Sequence, residues 1–241
     1  AGIDPANRLR GPGVGGHLLG SDHLGRDVLS QLMIGVRTSL VISMIGVAAA
    51  LGAGLTLALT AVTFRGAVDD LIMRIVDILI AFPGIVFALV LAVVLGPGVS
   101  STIVALTVFF APNFTRVIRA AALRVLAEDF VVAARIYGRG GLAILLRHVI
   151  PNTLSVIIVQ FTLSFAAAII VESSLSYLGV GISRPEISLG MMLREAQSFI
   201  GASGWLAFWP GLAIVVTVLG FNVFGDGLRD VLDPKFSRAG R

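Results

Sequence analysis

The 241-residue chain is 56% hydrophobic and only 13% charged, with a mean hydropathy of +0.97. A soluble domain has about twice that charged fraction, so the composition indicates an integral membrane protein. The net charge is +4 and cysteine is absent, which excludes a disulfide framework and cysteine-ligated zinc or iron–sulfur sites. Nucleic-acid binding explains the positive charge poorly, because the chain has no soluble basic domain to carry it.

The N-terminal segment, residues 1–37, is polar and rich in glycine. It holds two imidazoles and two carboxylates that are suitable metal donors, namely His17, Asp22, His23 and Asp27. We nevertheless predict a folded loop and no metal site, because Asp22 and Asp27 are well placed to cap helices or to pair with Arg26.

Five apolar segments of at least 17 residues predict an all-α membrane protein with five transmembrane helices. At about 1.5 Å per residue, such helices cross most or all of roughly 30 Å of hydrocarbon. Pro83 and Pro112 lie inside two of the segments, where proline can kink a helix. The segments are residues 38–64, 71–96, 99–115, 152–178 and 204–225.

A polar segment at about residues 129–151 separates the third and fourth spans. Its pattern predicts a helix carrying a small, flat patch at Ala133 and Ala134, a glycine-rich turn at Gly138, and an amphipathic helix leading to a span that Pro151 opens. The second helix should bury one face, because four apolar residues recur at helical spacing: Leu142, Leu145, Leu146 and Val149. We therefore predict a short hairpin that presents a surface to a partner, and the alternative is an anchor for the loop.

Charged side chains inside spans are costly in hydrocarbon, so each is a candidate functional residue. Asp77 lies about one turn after Arg74, and we expect these two residues to form a local ion pair. Glu172 lies near the end of the fourth span, with Ser173 and Ser176 beside it. We interpret Glu172 first as a hydrogen-bonded residue that holds helices together. The alternative is that these three residues line a translocation path.

The distribution of positive charge predicts the orientation in the membrane. Two, six and four Lys or Arg residues lie in one set of connecting segments, 65–74, 116–150 and 226–241. Four, none and two lie in the other set, 1–37, 97–98 and 179–203. The first set is therefore expected in the cytoplasm, together with the hairpin and the 226–241 tail. The N-terminal segment is then extracytoplasmic, and we expect a sixth transmembrane helix before Ala1.

The spacing of the hairpin residues resembles a known signature. Ala133-Ala134, three residues, Gly138, nine residues and then a short motif ending in Pro151 match the cytoplasmic loop of binding-protein-dependent ATP-binding-cassette (ABC) importers. The loop of that family reads Glu-Ala-Ala, three residues, Gly, nine residues, Ile-x-Leu-Pro. This chain departs from it at Val132, His148 and Ile150.

Four further stretches are similar to the second permease subunit of dipeptide, oligopeptide and nickel importers. They are residues 17–32, 73–84, 173–185 and 210–234. The resemblance implies a type I ABC importer transmembrane domain over residues 38–225, six helices in the intact subunit, and a bacterial or archaeal plasma membrane. It also implies a permease with no catalytic site and no cofactor of its own.

The same resemblance implies the partners. A homologous permease subunit would complete the path, two cytoplasmic ATPase subunits would bind ATP and magnesium, a substrate-binding protein would deliver cargo outside, and lipid would surround the assembly. The residues implied to couple to the ATPase are Asp129, Ala133, Ala134, Arg135, Gly138, His148 and Pro151.

Two other classes of function remain as alternatives. A secondary transporter or channel acting without an ATPase would need intramembrane ion-binding groups or an inverted repeat. An intramembrane enzyme would need a nucleophile–base pair or a metal-ligand cluster in the spans. The sequence has few intramembrane ion-binding groups. It shows no inverted repeat, and its spans contain no nucleophile–base pair or metal-ligand cluster. The cargo stays open among dipeptides, longer peptides, nickel chelates, glutathione and haem.

Overall fold

The computed structural model describes residues 4–232, and every regular element in that range is helical. The all-α class expected from the sequence is confirmed. A short 3-10 turn, Pro5–Asn7, precedes the first α-helix. The α-helices are α1 (Val28–Phe64), α2 (Gly66–Ala81), α3 (Gly84–Leu95), α4 (Val99–Leu126), α5 (Asp129–Ile136), α6 (Gly141–Ile144), α7 (Ile150–Tyr177), α8 (Leu189–Gln197) and α9 (Trp205–Leu232).

Four helical stretches among the described residues are long and apolar enough to cross a membrane. They are α1, α4, the stretch Gly141–Tyr177 and residues Trp205–Val231 of α9. The remaining expected span, residues 71–96, is not a continuous helix, because α2 and α3 meet at an angle of 93°. Pro83 lies at this break, and it restrains Phe82 to an extended conformation with φ −77° and ψ 143°. The two helices make a fifth span only if the bent pair is counted as one.

Several helices extend beyond the predicted spans. α1 begins at Val28 rather than at residue 38, and α4 continues to Leu126 rather than ending at residue 115. α9 continues into the predicted tail as far as Leu232, and the rest of that tail, 233–241, lies outside the described residues. The differences have one cause, because hydropathy marks where a chain leaves hydrocarbon and not where its helix ends.

The polar end of α4 is held by ion pairs with α2. Arg119 forms a two-point pair with Asp69, and Arg116 pairs with Asp77. The predicted ion pair between Asp77 and Arg74 is therefore wrong, because a guanidinium on the neighbouring helix takes the carboxylate instead.

The described residues form two compact units. The first comprises residues 4–46, 88–106 and 165–220, and the second comprises residues 47–87, 107–164 and 221–232. In the first unit, an apolar cluster joins the start of α1 to α8 and the start of α9, and its buried members are Val28, Met192, Ala196 and Leu206. In the second unit, a buried cluster lies beneath the hairpin, and its residues are Val62, Ala122, Leu126, Val131, Ile144, Leu145 and Val149.

Candidate functional site

The first arm of the hairpin is α5, which a glycine ends. Asp129 lies in its first turn and Arg135 in its last, where the helix dipole favours each charge. Gly138 follows with φ +77°. The amide of Arg139 donates to the carbonyl of Ala134 at 3.1 Å, and that of Gly138 donates to Arg135 at 2.9 Å. These two bonds form a Schellman motif, which needs the left-handed conformation that glycine adopts freely.

The second arm runs into a membrane span without a break. α6 passes through a π-helical turn, Leu145–Val149, directly into α7. Pro151 therefore does not begin the helix, because the helical stretch already begins at Gly141, and its place at the opening of the membrane span stays a prediction. A proline inside a helix cannot donate to the preceding turn and crowds its carbonyl. The π-helical turn accommodates the proline locally, because it is wider and the amide of Ile150 donates five residues back to the carbonyl of Leu145.

The hairpin is anchored on the buried cluster of the second unit. Val131 and Ala134 of α5 are buried, as are Leu145 and Val149 of the second arm. The expected apolar face is only half correct, because Leu142 and Leu146 are 69% and 55% exposed. The apolar face of the second arm is wider than the buried cluster. The cluster therefore covers only the part of that face that packs with Ile144, and it leaves Leu142 and Leu146 exposed.

The exposed side of the hairpin is also apolar. Both arms present large hydrophobic side chains outside the buried cluster, and two of them, Ile136 and Tyr137, are 80% and 86% exposed. Exposed apolar residues in such numbers are typical of a surface that another molecule covers. We call this set the hairpin surface, and it comprises Phe130, Val132, Ile136, Tyr137, Leu142 and Leu146.

The seven predicted coupling residues all lie in the hairpin or at its junction with α7, but they differ in exposure. Ala134 is buried, whereas its neighbour Ala133 is exposed. His148 is half-buried, its ring centroid is 5.9 Å from that of Phe130, and its Nε2 has no hydrogen-bond partner among residues 4–232. The exposed members are Asp129, Ala133, Arg135, Gly138 and Pro151.

Sequence reasoning missed the largest exposed side chains of the first arm. Phe130, Ile136 and Tyr137 stand in a segment that was interpreted from its small and polar residues. Their signal was present in the sequence, because bulky apolar residues are unusual in a loop that has charged neighbours. The hairpin surface is thus more apolar than the alanine patch alone predicts.

A second polar site surrounds Glu172 in the first unit. Its carboxylate accepts hydrogen bonds from Ser176 at 2.8 Å and from Ser173 at 3.3 Å, and all three side chains are buried. The hydroxyls of Ser39 in α1 and Ser188 at the N-terminus of α8 lie close to the same carboxylate. Glu172 thereby links three helices, which favours the interpretation that it holds them together. The translocation-path interpretation of Glu172, Ser173 and Ser176 stays a prediction.

Close helix packing supports the Glu172 site. A Cβ at Gly190 would lie 2.0 Å from the carbonyl oxygen of Ser173, and one at Gly181 would lie 2.6 Å from the amide nitrogen of Ser176. Both glycines are therefore required where residues 179–203 meet α7. Ser39 escaped the sequence analysis because it lies 150 residues from Leu189, whose amide donates to its hydroxyl at 3.2 Å.

Residues 4–27 of the N-terminal segment form a folded loop, as predicted. Asp27 caps α1 by accepting from the amide and the hydroxyl of Ser30, and its other oxygen lies 3.1 Å from His17 Nδ1. Asp22 accepts from the amide and the side chain of Arg26 and from Gln31. The ring of His23 stacks on that of Phe199. No group of three potential metal donors occurs among residues 4–232.

The two aspartates of this loop are held ionised. Burial would by itself raise the pKa of Asp22, but hydrogen bonds from Arg26, Gln31 and Leu24 outweigh it and lower that pKa below its usual value. Burial likewise opposes, and hydrogen bonds from Ser30 and His17 produce, a lowered pKa at Asp27. Both carboxylates therefore favour the folded loop at neutral pH.

Comparison with known proteins identifies relatives over nearly the whole chain. Residues 50–238 match the family described as binding-protein-dependent transport system inner membrane component. A dipeptide transport system permease protein, DppC, from Alkalihalophilus pseudofirmus is 40% identical over 235 residues, which cover 98% of this chain and 77% of the relative. A glutathione transport system permease protein, GsiD, from Escherichia coli is 42% identical over 233 residues, covering 97% and 77%.

Solved structures share the fold. The MetNI methionine ABC transporter in an inward-facing conformation matches with a TM-score of 0.71 at 19% identity, over 85% of this chain and 97% of the other. An amino acid ABC transporter structure with histidines matches with a TM-score of 0.63 at 18% identity, over 83% and 94%. At these identities the likeness establishes the arrangement of helices.

Proposed function

The chain belongs to the family of inner membrane components of binding-protein-dependent transport systems, and from this premise we propose the task of each of its surfaces. It is a multi-pass permease subunit of an ATP-driven importer, which is a transport subunit and not an enzyme. Its helices form half of a translocation path, and the cargo is a peptide or a related small solute. The peptide class is supported by relatives named for dipeptide and glutathione transport.

The hairpin surface is the observation that carries the proposal for ATP coupling. A rigid hairpin, anchored from beneath by the cluster around Val131 and Val149, exposes Ile136 and Tyr137 at its end. Aromatic and aliphatic anchors of this kind bury well in a pocket on a partner. A cytoplasmic ATPase subunit is the partner proposed, and it supplies the ATP and magnesium sites. The exposed Asp129 and Arg135 add polar contacts at the rim.

The orientation proposed places the hairpin and the C-terminus in the cytoplasm, because the connecting segments on that side carry most of the Lys and Arg residues. The loop of residues 4–27 and helix α8 then lie outside. A substrate-binding protein delivers cargo at that face, and a second, homologous permease subunit completes the path.

Transport follows from alternating access. ATP binding closes the two ATPase subunits, the hairpin moves with the subunit that holds it, and the helices pass from an inward-open to an outward-open state. Binding of ATP can drive the change only as far as it favours one state over the other. The continuous helix from Gly141 to Tyr177 joins the hairpin to a membrane span without a flexible joint.

Co-purification of the complex tests the proposal. The double substitution Ile136→Ser and Tyr137→Ser should release the ATPase subunits, because it removes the two most exposed apolar side chains of the hairpin. The matched control is Leu18→Ser, which changes a side chain that is 71% exposed in the N-terminal loop. Full retention of the ATPase by the double variant would contradict coupling through the hairpin. A wild-type chain that transports cargo with no ATPase present would instead favour the secondary transporter.

A further inference from the structure

A cavity in the second unit lies where α1 leaves the membrane. It has a volume of about 250 Å³ between the end of α1, the end of α4 and the two arms of the hairpin. The residues that matter here are Val62, Arg65, Leu126, Arg135, Ile144 and Leu145. The uncharged stretch of α1 ends at Phe64, so Arg65 marks the boundary between hydrocarbon and water. The cavity therefore opens at the membrane interface.

The cavity is apolar below and cationic at its rim. Val62, Leu126, Ile144 and Leu145 belong to the buried cluster of the second unit, and their surface forms the floor. Arg65 from α1 and Arg135 from α5 supply two guanidinium groups, and no lining residue is acidic. A molecule that fits must combine a negative group with an apolar part.

The two guanidinium groups have no carboxylate partner among the described residues. This distinguishes them from Arg116 and Arg119 of the same unit, which pair with Asp77 and Asp69. Two unpaired guanidinium groups beside an apolar floor would repel each other unless an anion lies between them. Guanidinium groups are well suited to a phosphate, which they bind with paired hydrogen bonds.

We propose that the cavity bounded by Arg65 and Arg135 binds the phosphate of an anionic phospholipid of the inner leaflet. The headgroup phosphate bridges the two guanidinium groups, and the start of the acyl chains lies on Val62 and Leu126. Basic pockets between helices on the cytoplasmic side are suited to such headgroups. The site rests on the membrane orientation proposed above. It gives the hairpin a second contact, with lipid as well as with the ATPase.

Lipid retention by the intact complex tests the site. The complex is reconstituted in nanodiscs of phosphatidylcholine and phosphatidylglycerol in equal parts, and the bound lipids are counted by native mass spectrometry. The ratio of bound phosphatidylglycerol to phosphatidylcholine should fall about fivefold for each of Arg65→Gln and Arg135→Gln. Arg139→Gln is the matched control, because Arg139 is an exposed arginine four residues after Arg135 that does not line the cavity. Its ratio should equal that of the wild type.

Other outcomes overturn the proposal. An unchanged ratio in the double variant Arg65→Gln and Arg135→Gln, or an equal fall in the Arg139→Gln control, would refute the site. If the wild type in pure phosphatidylcholine binds inorganic phosphate and phosphatidylglycerol does not compete, the ligand is a free anion. If Arg135→Gln loses the ATPase and keeps its lipid ratio, Arg135 contacts the ATPase alone and the lipid site is refuted.

Two measurements keep the test decisive. The double variant Arg65→Lys and Arg135→Lys keeps both charges, so it should retain more phosphatidylglycerol than the glutamine pair even if the glutamine pair folds poorly. ATPase retention is scored on the same samples. A wild-type complex without any ATPase would refute the proposed function, whereas the lipid ratio alone decides the lipid site.

Discussion

Arg119 of α4 and Asp69 of α2 form a two-point ion pair, in which Arg119 Nε donates to Asp69 Oδ1 at 2.6 Å and a second guanidinium nitrogen donates to Oδ2. The side chains are 25% and 16% exposed, so solvent screens the pair only partly. Together with the pair of Arg116 and Asp77, it fixes α2, which precedes the bend at Pro83, against α4.

Breaking this ion pair should loosen α2. We expect a coupling free energy of about 1–2 kcal/mol in a double-mutant cycle of Asp69→Asn and Arg119→Gln, between the values typical of exposed and buried pairs. Thermal unfolding of the purified complex measures it. Arg119→Lys should recover less than half, because an ammonium group cannot form both bonds at once. Additive effects of the two substitutions would show that the pair contributes nothing.

Glu172 should be needed for stability before it is needed for transport. Glu172→Ala leaves the hydroxyls of Ser173 and Ser176 without their acceptor in a buried site and opens a cavity, so we expect a loss of about 2–4 kcal/mol. Glu172→Gln keeps the volume and one acceptor and should lose about half as much. Thermal unfolding and the apparent KM for cargo are measured together. A raised KM with unchanged stability in Glu172→Gln would favour the translocation path instead.

Gly138 should be required for its backbone conformation. A side chain would meet nothing within 4 Å there, but φ is +77°, so Gly138→Val should cost about 1–2 kcal/mol and distort the turn. We expect fewer cargo molecules transported per ATP hydrolysed. Gly140→Val is the matched control, because that glycine is equally open and has φ −66°. Equal coupling in the two variants would contradict the assignment.

The N-terminal loop should open in acid. Asp22 and Asp27 have folded pKa values below the ordinary 3.8, so their contribution to stability is fully present above pH 3.8 and is lost as the pH falls through the lower folded values. The hydrogen-exchange protection factors of residues 4–27 should therefore fall below about pH 4. Asp22→Asn should have lower protection factors at neutral pH and respond less to acid. Protection factors that do not change with pH would contradict the role of both carboxylates.

Composition and periodicity were sufficient for the helical class, the long spans and the hairpin, because these depend on local patterns. They failed where distant residues decide the outcome. Asp77 takes a guanidinium from another helix rather than that of Arg74, and the hydroxyl near Glu172 comes from Ser39. The continuity of the helix through Pro151 was not predicted for a different reason, since a single π-helical turn lets a helix continue where proline usually begins or ends one.

The adjacent alanines of α5 differ in what surrounds them, since Ala133 is exposed and Ala134 is buried. Among close relatives, position 134 should accept only very small residues whatever ATPase accompanies the permease. Position 133 should instead vary together with residues of that ATPase, so that matched pairs of subunits exchange between systems and mismatched pairs do not. Two neighbouring residues of the same type would then show different substitution patterns among relatives. The pattern at position 134 would reflect the fold, and that at position 133 would reflect the partner ATPase.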